Sequence, residues 1–329
     1  MTPEGTVTEE VREAVRRSGL FARDRLVVVM ISAGRDSTCL LDVAVSQLGP
    51  QGVLGLHIDY GLRPSAAAEA ERCRALCTQL GVALELVRAP PAPLEEGTGN
   101  LQAWAREIRY AEAQRLARLH DALIAAGHTA SDQVETVLYR LAASPGRRAL
   151  LGMAPAEGRL IRPLLGVTRE QTTAYCEERG LPFADDESNL DERFARTRVR
   201  HGLIGALRAV HPAAEANVLR TALLLREETE LLEELVDREL EGRSSVALTR
   251  LREMPDALAR LVVVRLAEQA VGGYVPQAGG RVAELLALGR RGGRAELHVG
   301  GQAGAVIEDG ILRMVRLPPR AEKIAPDGD

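Results

Sequence analysis

The six residues from Ser32 to Ser37, with the sequence SAGRDS, have the composition of a turn that binds phosphate. They lie between an apolar run, Leu26 to Ser32, and a helical pattern from Asp36 to Gln47. Small residues let backbone N–H groups converge on an anion, the start of a helix adds positive potential, and the two serines supply hydroxyl donors. Asp36 is negative at the same place, which predicts Mg²⁺ between its carboxylate and phosphate oxygens. The structural alternative is a strand-to-helix turn that Asp36 caps.

A second set of polar residues follows the apolar run from Ala122 to His128. Asp132 and Glu135 are three apart in a helical pattern and therefore share a face, where two carboxylates suit an ammonium group. The alternative is a solvated acidic face with Asp132 near the helix N-terminus. His128 ends the preceding strand, where it is either a functional group or a core histidine with satisfied hydrogen bonds.

Arginines form two further candidate groups. Arg106 and Arg109 lie on one helix face and can hold phosphate or carboxylate, although solvated arginines are equally common on such helices. Arg196 and Arg200 belong to a dense basic run that suits RNA phosphates, with a solvated helix as the alternative.

Alternating strand and helix patterns indicate an α/β fold with a parallel sheet covered on both faces. Ligands of such folds bind beyond the carboxyl ends of the strands, where Ser32, Asp59 and His128 fall. A long helical pattern over 213–240 then predicts a connecting helix. The remainder, 241–329, shows helices followed by strands, with Asp309-Gly310 at a hairpin turn, and predicts a small α+β domain for substrate recognition.

Composition limits the class of protein. The chain has 329 residues, 46% of them hydrophobic and 27% charged, which predicts a globular protein of about two domains. No apolar run approaches the ~20 residues of a membrane span, and the N-terminus lacks the pattern of a signal peptide, so we expect a cytoplasmic protein. The net charge of −4 gives no global support for RNA binding. The four cysteines lack a CxxC pair and are expected to be buried, inert thiols.

Several motifs together resemble one enzyme family. There is no GxxxxGK[ST] or GxGxxG fingerprint; the Ser32–Ser37 turn instead resembles the SGGxDS loop of N-type ATP pyrophosphatases. Further stretches resemble the tRNA(Ile)-lysidine synthase branch of that superfamily, in the right order over about residues 26–212. They are HIDYGLR from His57, NLQAWAREIRY from Asn100, GHTASDQVET from Gly127, LLGM from Leu150, IRPLL from Ile161, DESN from Asp186, and the pair Arg196 and Arg200.

This resemblance implies a nucleotide-binding domain of the adenine nucleotide α-hydrolase type over 1–212 and a tRNA-recognition domain over 241–329. It implies that ATP and Mg²⁺ activate the wobble cytidine of a CAU-anticodon tRNA(Ile) and that free lysine displaces AMP. The implied ATP site is Ser32, Ala33, Gly34, Arg35, Asp36, Ser37, Asp59, Arg106 and Arg109, with Asp36 on the metal. The implied catalytic group is Asp36, His128, Asp132 and Glu135. Within this group, the resemblance implies that Asp132 and Glu135 contact lysine. It also implies that Arg196 and Arg200 contact tRNA. The sequence does not determine the oligomeric state, and a homodimer is compatible with it.

The chain departs from the family pattern at several positions. They are Ala33 for Gly, Tyr60 for His, Gln102 for Glu, Ser131 for Asp, Ala143 to Gly146 in place of RGSG, and Thr197 for Asn. These departures leave open a catalytically weak paralogue that binds tRNA or nucleotide. A tRNA thiolase of the same superfamily is a further alternative, although Cys73 and Cys77 on one helix are a poor substitute for the paired cysteines that thiolases use.

Overall fold

The computed structural model describes residues 6–22, 24–62, 66–92, 101–144, 146–184 and 195–318. For residues 195 and 196 it describes the main chain and not the side chains. The chain forms two compact units, residues 1–225 and 226–329. No helix among the described residues combines the length and the apolar character that crossing a membrane requires.

The first unit alternates strands and helices, as predicted. Its strands are β1 (Val27–Met30), β2 (Val53–Asp59), β3 (Ala83–Arg88), β4 (Leu123–Ala125), β5 (Ala156–Glu157) and β6 (Leu160–Ile161). Its helices are α1 (Val7–Ser18), α2 (Arg35–Leu48), α3 (Ala66–Leu80), α4 (Leu101–Leu119), α5 (Ala130–Ala143), α6 (Arg169–Glu178), α7 (Ala195–Arg198) and α8 (Ile204–Val210). A π-helical turn, Val199–Leu203, joins α7 to α8.

The six strands form one sheet in the order β3-β2-β1-β4-β6-β5. All neighbouring pairs are parallel except β5 with β6. The chain first builds outward from β1 through β2 and β3, and then returns to place β4 on the other side of β1. This reversal makes the carboxyl ends of β1 and β4 the topological switch point, where open α/β sheets bind their ligands.

Both faces of the sheet are buried at its central strand β1, as a sheet covered on both faces requires. Val27 and Val29 of β1 pack into a core shared with α1, α2 and α6. Val28 and Met30 point to the opposite face and pack with α4. This alternation follows from the two-residue period of a strand, and it explains why β1 is apolar at every position.

The second unit has its own core and an antiparallel sheet in the order β7-β10-β9-β8. The helix α9 (Ala214–Leu240) runs from the first unit into the second. The remaining elements are β7 (Ser245–Ala247), α10 (Leu248–Glu253), α11 (Asp256–Val271), α12 (Val282–Gly289), β8 (Ala295–Gly300), β9 (Ala303–Glu308) and β10 (Ile311–Arg316). Asp309 and Gly310, both at positive φ, make the predicted turn between β9 and β10.

Three features differ from the sequence predictions. The first strand ends at Met30, so Ser32 belongs to the turn and not to the strand. The apolar stretch LIRPLL, Leu160 to Leu165, has the pattern of a strand, but only Leu160–Ile161 pairs in the sheet, because Pro163 lacks the N–H that a ladder requires. The helix α1 was not predicted, although Thr6 caps it and its buried Val11 and Val15 are spaced at i and i+4.

Candidate active site at the carboxyl edge of the parallel sheet

The Ser32–Ser37 turn leaves β1 at the switch point and leads directly into α2. The backbone N–H of Ser32 donates to Ser37 Oγ at 3.1 Å, and that hydroxyl donates to the carbonyl of Gly34 at 2.9 Å. Gly34 is the N-cap residue and has no side-chain cap, so α2 begins without a side chain that satisfies its first N–H groups. A turn of this form can receive an anion at the helix N-terminus.

Ala33 adopts the left-handed conformation, with φ of 58°, and is 4% exposed. Its methyl group packs within the core between the sheet and α2. The methyl group is therefore buried on the protein side of the turn, and the backbone takes the shape that glycine would take there. The carbonyl of Ala33 accepts the N–H of Ala184 at 2.9 Å, which ties the turn to the chain after α6.

Asp36, in the first turn of α2, lies in a partly desolvated and acidic environment. Burial raises its pKa, the hydroxyl of Thr172 lowers it by donating to Oδ1, and the charge of Asp132 raises it again. A cation beside this carboxylate would relieve both unfavourable effects. Among the described residues no group of three His, Cys, Asp or Glu side chains could hold a metal ion. Asp36 therefore fits Mg²⁺ only as a ligand that shares the ion with phosphate oxygens.

Gly127 and His128 follow β4 at the same edge. A Cβ on Gly127 would lie 3.2–3.3 Å from backbone atoms of Asp36 and Ser37, so a larger residue would require the start of α2 to shift slightly. Burial lowers the pKa of His128 to about 4; Asp132 opposes this shift, while Arg162 and other arginines contribute to it. Its Nδ1 is buried without a hydrogen-bond partner among the described residues. The ring is thus neutral at pH 7.

The carboxylate pair, Asp132 and Glu135, lies on α5, as the three-residue spacing predicts. Asp132 also forms a capping box with Thr129 at the N-terminus of the helix. The face is not the solvated one of the structural alternative, because Glu135 is buried. Two arginines contact the pair. Arg169 Nη2 lies 2.9 Å from Asp132 Oδ1 and 3.4 Å from Glu135 Oε1. Arg200 binds Glu135 through both carboxylate oxygens, at 2.6 and 3.1 Å.

The other predicted ligands lie around this centre with structural partners of their own. Asp59 Oδ1 accepts the N–H of Gly61 at 2.9 Å at the end of β2. The guanidinium of Arg106 stacks 4.6 Å from the ring centre of Tyr110. Burial raises the pKa of Tyr60, and the charge of Arg109 opposes this shift. Both arginines are exposed, and their charges reach His128. They remain candidates for phosphate binding.

Comparison with known proteins identifies the family. Residues 4–207 match the family model described as "PP-loop domain". The chain is 40% identical over 288 residues to the tRNA(Ile)-lysidine synthase of Symbiobacterium thermophilum, an alignment that covers 80% of this chain and 59% of that protein. It is 38% identical over 271 residues to the tRNA(Ile)-lysidine synthase of Gloeobacter violaceus, covering 77% of this chain and 80% of that protein. The chain belongs to the tRNA(Ile)-lysidine synthase family. It spans less than two thirds of the Symbiobacterium relative.

A solved structure shares the fold. The U34-tRNA thiolase NcsA from Methanococcus maripaludis, solved with its [4Fe-4S] cluster, superposes with a TM-score of 0.56 at 15% identity. The match covers 67% of this chain and 80% of that one. In the present chain, by contrast, the four cysteines are free and buried, as predicted. Burial raises the pKa of Cys73 to about 12 and that of Cys77 to about 11, which leaves both thiols protonated.

Three of the positions that depart from the lysidine synthase family pattern have packing roles in the structure. Ser131 Oγ accepts the backbone N–H of Arg169 at 3.1 Å and so joins α5 to the start of α6. The Tyr60 hydroxyl donates to the carbonyl of Ala105 at 3.0 Å, and its ring meets Trp104 edge-on. Thr197 is buried. Local packing thus accommodates these substitutions away from the Ser32–Ser37 turn.

Arg169 and Thr172 of α6 were not among the predicted site residues, although both contact predicted carboxylates. The sequence did indicate where their helix begins, because Thr168 and Gln171 form a capping box. Nothing local indicates that the first turn of α6 faces α5 and α2. Arg196 lies in α7 with its side chain outside the described set, and the segment Asp186 to Asn189 lies outside the described residues.

Proposed function

We propose that the chain uses ATP to adenylate the C2 oxygen of the wobble cytidine in a CAU-anticodon tRNA(Ile), after which lysine displaces AMP. The observation that carries the proposal is the meeting of the Ser32–Ser37 turn and the carboxylate pair at one switch point. Such an arrangement could bind a triphosphate on one side of a reacting base and an amine on the other. Membership of the lysidine synthase family supports the same assignment, and ATP use agrees with the PP-loop domain.

In the first step, the C2 oxygen attacks the α-phosphorus of ATP and pyrophosphate leaves. The N–H groups at the start of α2 and the hydroxyls of Ser32 and Ser37 would bind the departing phosphates, while Arg35, Arg106 and Arg109 add positive charge. Asp36 would hold Mg²⁺, which supplies further neutralisation of the pyrophosphate. Asp59 lies at the same edge and would border the nucleotide.

In the second step, the ε-amine of lysine attacks C2, and the C2 oxygen leaves with AMP. The amine must lose a proton to become nucleophilic. Asp132 and Glu135 would orient the ammonium and accept that proton. His128, held neutral at pH 7 by its buried surroundings, would act as a hydrogen-bonding group toward the nucleotide and not as a cationic acid.

The anticodon base must leave its stack to reach this edge. Arg196 and Arg200 of the first unit would contact tRNA phosphates. Arg290, Arg291 and Arg294 of the second unit would add to the RNA-binding charge, although Arg294 already pairs with Glu296 at 2.7 Å. The protonated, buried cysteines do not favour the thiolase alternative. A homodimer stays a prediction.

The test is incorporation of labelled lysine into a CAU-anticodon tRNA(Ile) transcript, with pyrophosphate release measured in the same reaction. We expect incorporation that requires ATP and stops when cytidine 34 of the transcript is replaced by uridine. A folded sample that binds tRNA but releases no pyrophosphate would support the non-catalytic paralogue and contradict this proposal.

A further inference from the structure

The carboxylate pair proposed to receive lysine is covered by arginine side chains. The Glu135 side chain is only 4% exposed, and Arg200 binds it with Nε on Oε1 and Nη2 on Oε2. Asp132 is 22% exposed and contacts Arg169 at 2.9 Å and Arg200 at 3.8 Å. An amine that enters from solvent therefore meets guanidinium groups before it meets Glu135.

Charge leads to the same conclusion as exposure. Two carboxylates face two guanidinium groups, so the pair offers little negative charge to attract a further cation. A guanidinium and a primary ammonium recognise carboxylates with the same sign of charge and the same kind of N–H donor. They compete for the same oxygens, and lysine can bind Glu135 only where an arginine leaves.

The two arginines differ in how their main chains are held. Arg169 begins α6, its backbone N–H donates to Ser131 Oγ, and its carbonyl accepts the hydroxyls of Thr172 and Thr173. Its main chain is thereby bound to α5 and to its own helix. Arg169 is consequently the fixed member of the cluster.

Arg200 lies in the π-helical turn Val199–Leu203, which packs on α5 through a small apolar cluster whose buried members are Val134, Leu138 and Ile204. Its side chain is 25% exposed, so the guanidinium borders solvent while it binds Glu135. π-Helical turns are often found at functional sites. Its place at the border with solvent makes Arg200 the candidate for an exchange of partner.

We propose that Arg200 exchanges between Glu135 and an RNA phosphate, so that binding of RNA uncovers Glu135 for the amine. This inference rests on the proposed function, because it assigns the regulation of that same amine site. The phosphate diester is the natural competitor for Arg200, since an arginine fork binds phosphate and carboxylate with similar geometry. Lysine would then bind productively only when its RNA acceptor is present.

Thermodynamic linkage turns the exchange into a measurable quantity. If RNA raises the affinity for lysine by a given factor, lysine raises the affinity for RNA by the same factor. We expect a factor of about ten, within the range common for coupled sites. Arg200 acts through Glu135 and is thus a positioning residue, whose removal should alter the coupling and not only the stability of the fold.

The experiment measures the Kd of labelled lysine by equilibrium dialysis, with Mg²⁺ and α,β-methylene-ATP to prevent turnover. The wild-type chain is compared with and without a saturating CAU-anticodon tRNA(Ile) transcript. Lysine binding about tenfold tighter with RNA supports the exchange. An equal Kd in both conditions overturns it, and this comparison needs no variant.

The variant Arg200→Gln removes the competing charge and keeps a hydrogen-bonding group beside Glu135. We expect Arg200→Gln to bind lysine without RNA about tenfold more tightly than wild type and to lose most of the RNA effect. The control Arg208→Gln removes an exposed arginine that pairs with Glu215 and Glu170, and it should behave as wild type. An undiminished RNA effect in Arg200→Gln would refute the role of Arg200.

The incorporation assay separates the two proposals. Lysine transfer by the wild-type chain together with an RNA-independent Kd for lysine means that the exchange is wrong and the proposed function is right. Failure of both lysine transfer and lysine binding means that both are wrong. Thermal unfolding of Arg200→Gln checks that the variant is folded, and the wild-type comparison decides the question if it is not.

Discussion

At the scale of single residues, Ala33 shows how the Ser32–Ser37 turn accepts a side chain where the family has glycine. A left-handed alanine costs ~1–2 kcal/mol relative to the right-handed form. Burial of its methyl group stabilises the folded chain by ~0.8 kcal/mol. Alanine also lowers the entropy of the unfolded chain relative to glycine by ~0.4–1 kcal/mol. These contributions nearly cancel, so the substitution is tolerated without displacing the turn.

This balance predicts that Ala33→Gly changes the free energy of unfolding by less than ~1 kcal/mol, as measured by urea denaturation. The matched control is Ala44→Gly, at a fully buried position inside α2. There glycine loses the methyl group and weakens the helix, which together cost ~2 kcal/mol. Equal losses of stability in the two variants would show that the left-handed conformation of Ala33 carries no strain.

At the scale of elements, a buried carboxylate joins three helices behind the site. Asp42 of α2 accepts hydrogen bonds from Tyr175 of α6 at 2.5 Å, from Arg12 of α1 at 3.2 Å and from Arg179, just after α6, at 3.2 Å. Burial alone would raise the pKa of Asp42, but the hydrogen bonds and charges outweigh it and lower the pKa below 3.8. The ionised form therefore stabilises the folded chain.

Because the folded pKa is the lower one, this stabilisation is present above pH 4 and is lost as the pH falls through the folded pKa. Asp42→Asn should cost ~2–4 kcal/mol at pH 7, somewhat below the usual loss for breaking a buried pair, since both arginines are partly solvated. The loss should shrink toward pH 3 in urea denaturation. Glu13→Gln, which removes an exposed partner of Arg16, should leave stability unchanged at both pH values. A pH-independent loss in Asp42→Asn would contradict the assignment.

At the scale of the whole molecule, a net charge of −4 means that RNA affinity must come from local groups of arginines. Arg290 and Arg291 follow α12 in the second unit, are exposed and form no ion pair with any described residue. An arginine that contacts a phosphate releases counterions, which makes RNA binding depend on salt concentration.

We expect Arg290→Gln combined with Arg291→Gln to weaken tRNA binding and to reduce the slope of log K against log salt by ~1 to 2. The measurement is filter binding from low to moderate salt. Arg250→Gln is the matched control, because Arg250 lies in the same unit and already pairs with Glu239 at 2.7 Å. A double variant with the salt slope of wild type would place the RNA contacts elsewhere.

Local information in the chain accounts for most of the fold. The period of apolar residues predicted helices α2 and α9 to within one residue of their observed bounds. Asp309-Gly310 marked a turn whose shape two residues determine. The short strand β6 was less predictable, because Leu160 and Ile161 pair with β4 only after the sheet has assembled. The apolar pattern reflects the local conformational preference of a segment. It does not determine which strand that segment pairs with.

The same division applies to the site. The Ser32–Ser37 turn, the spacing of Asp132 and Glu135 and the position of His128 at a strand end could all be identified from the sequence, because each depends on one helix or one strand end. The tertiary structure decided that Arg169 and Arg200, 34 and 65 residues from Glu135, bind that carboxylate. A charge acts on whatever lies within a few ångströms, and only the folded chain determines which distant residues reach that distance.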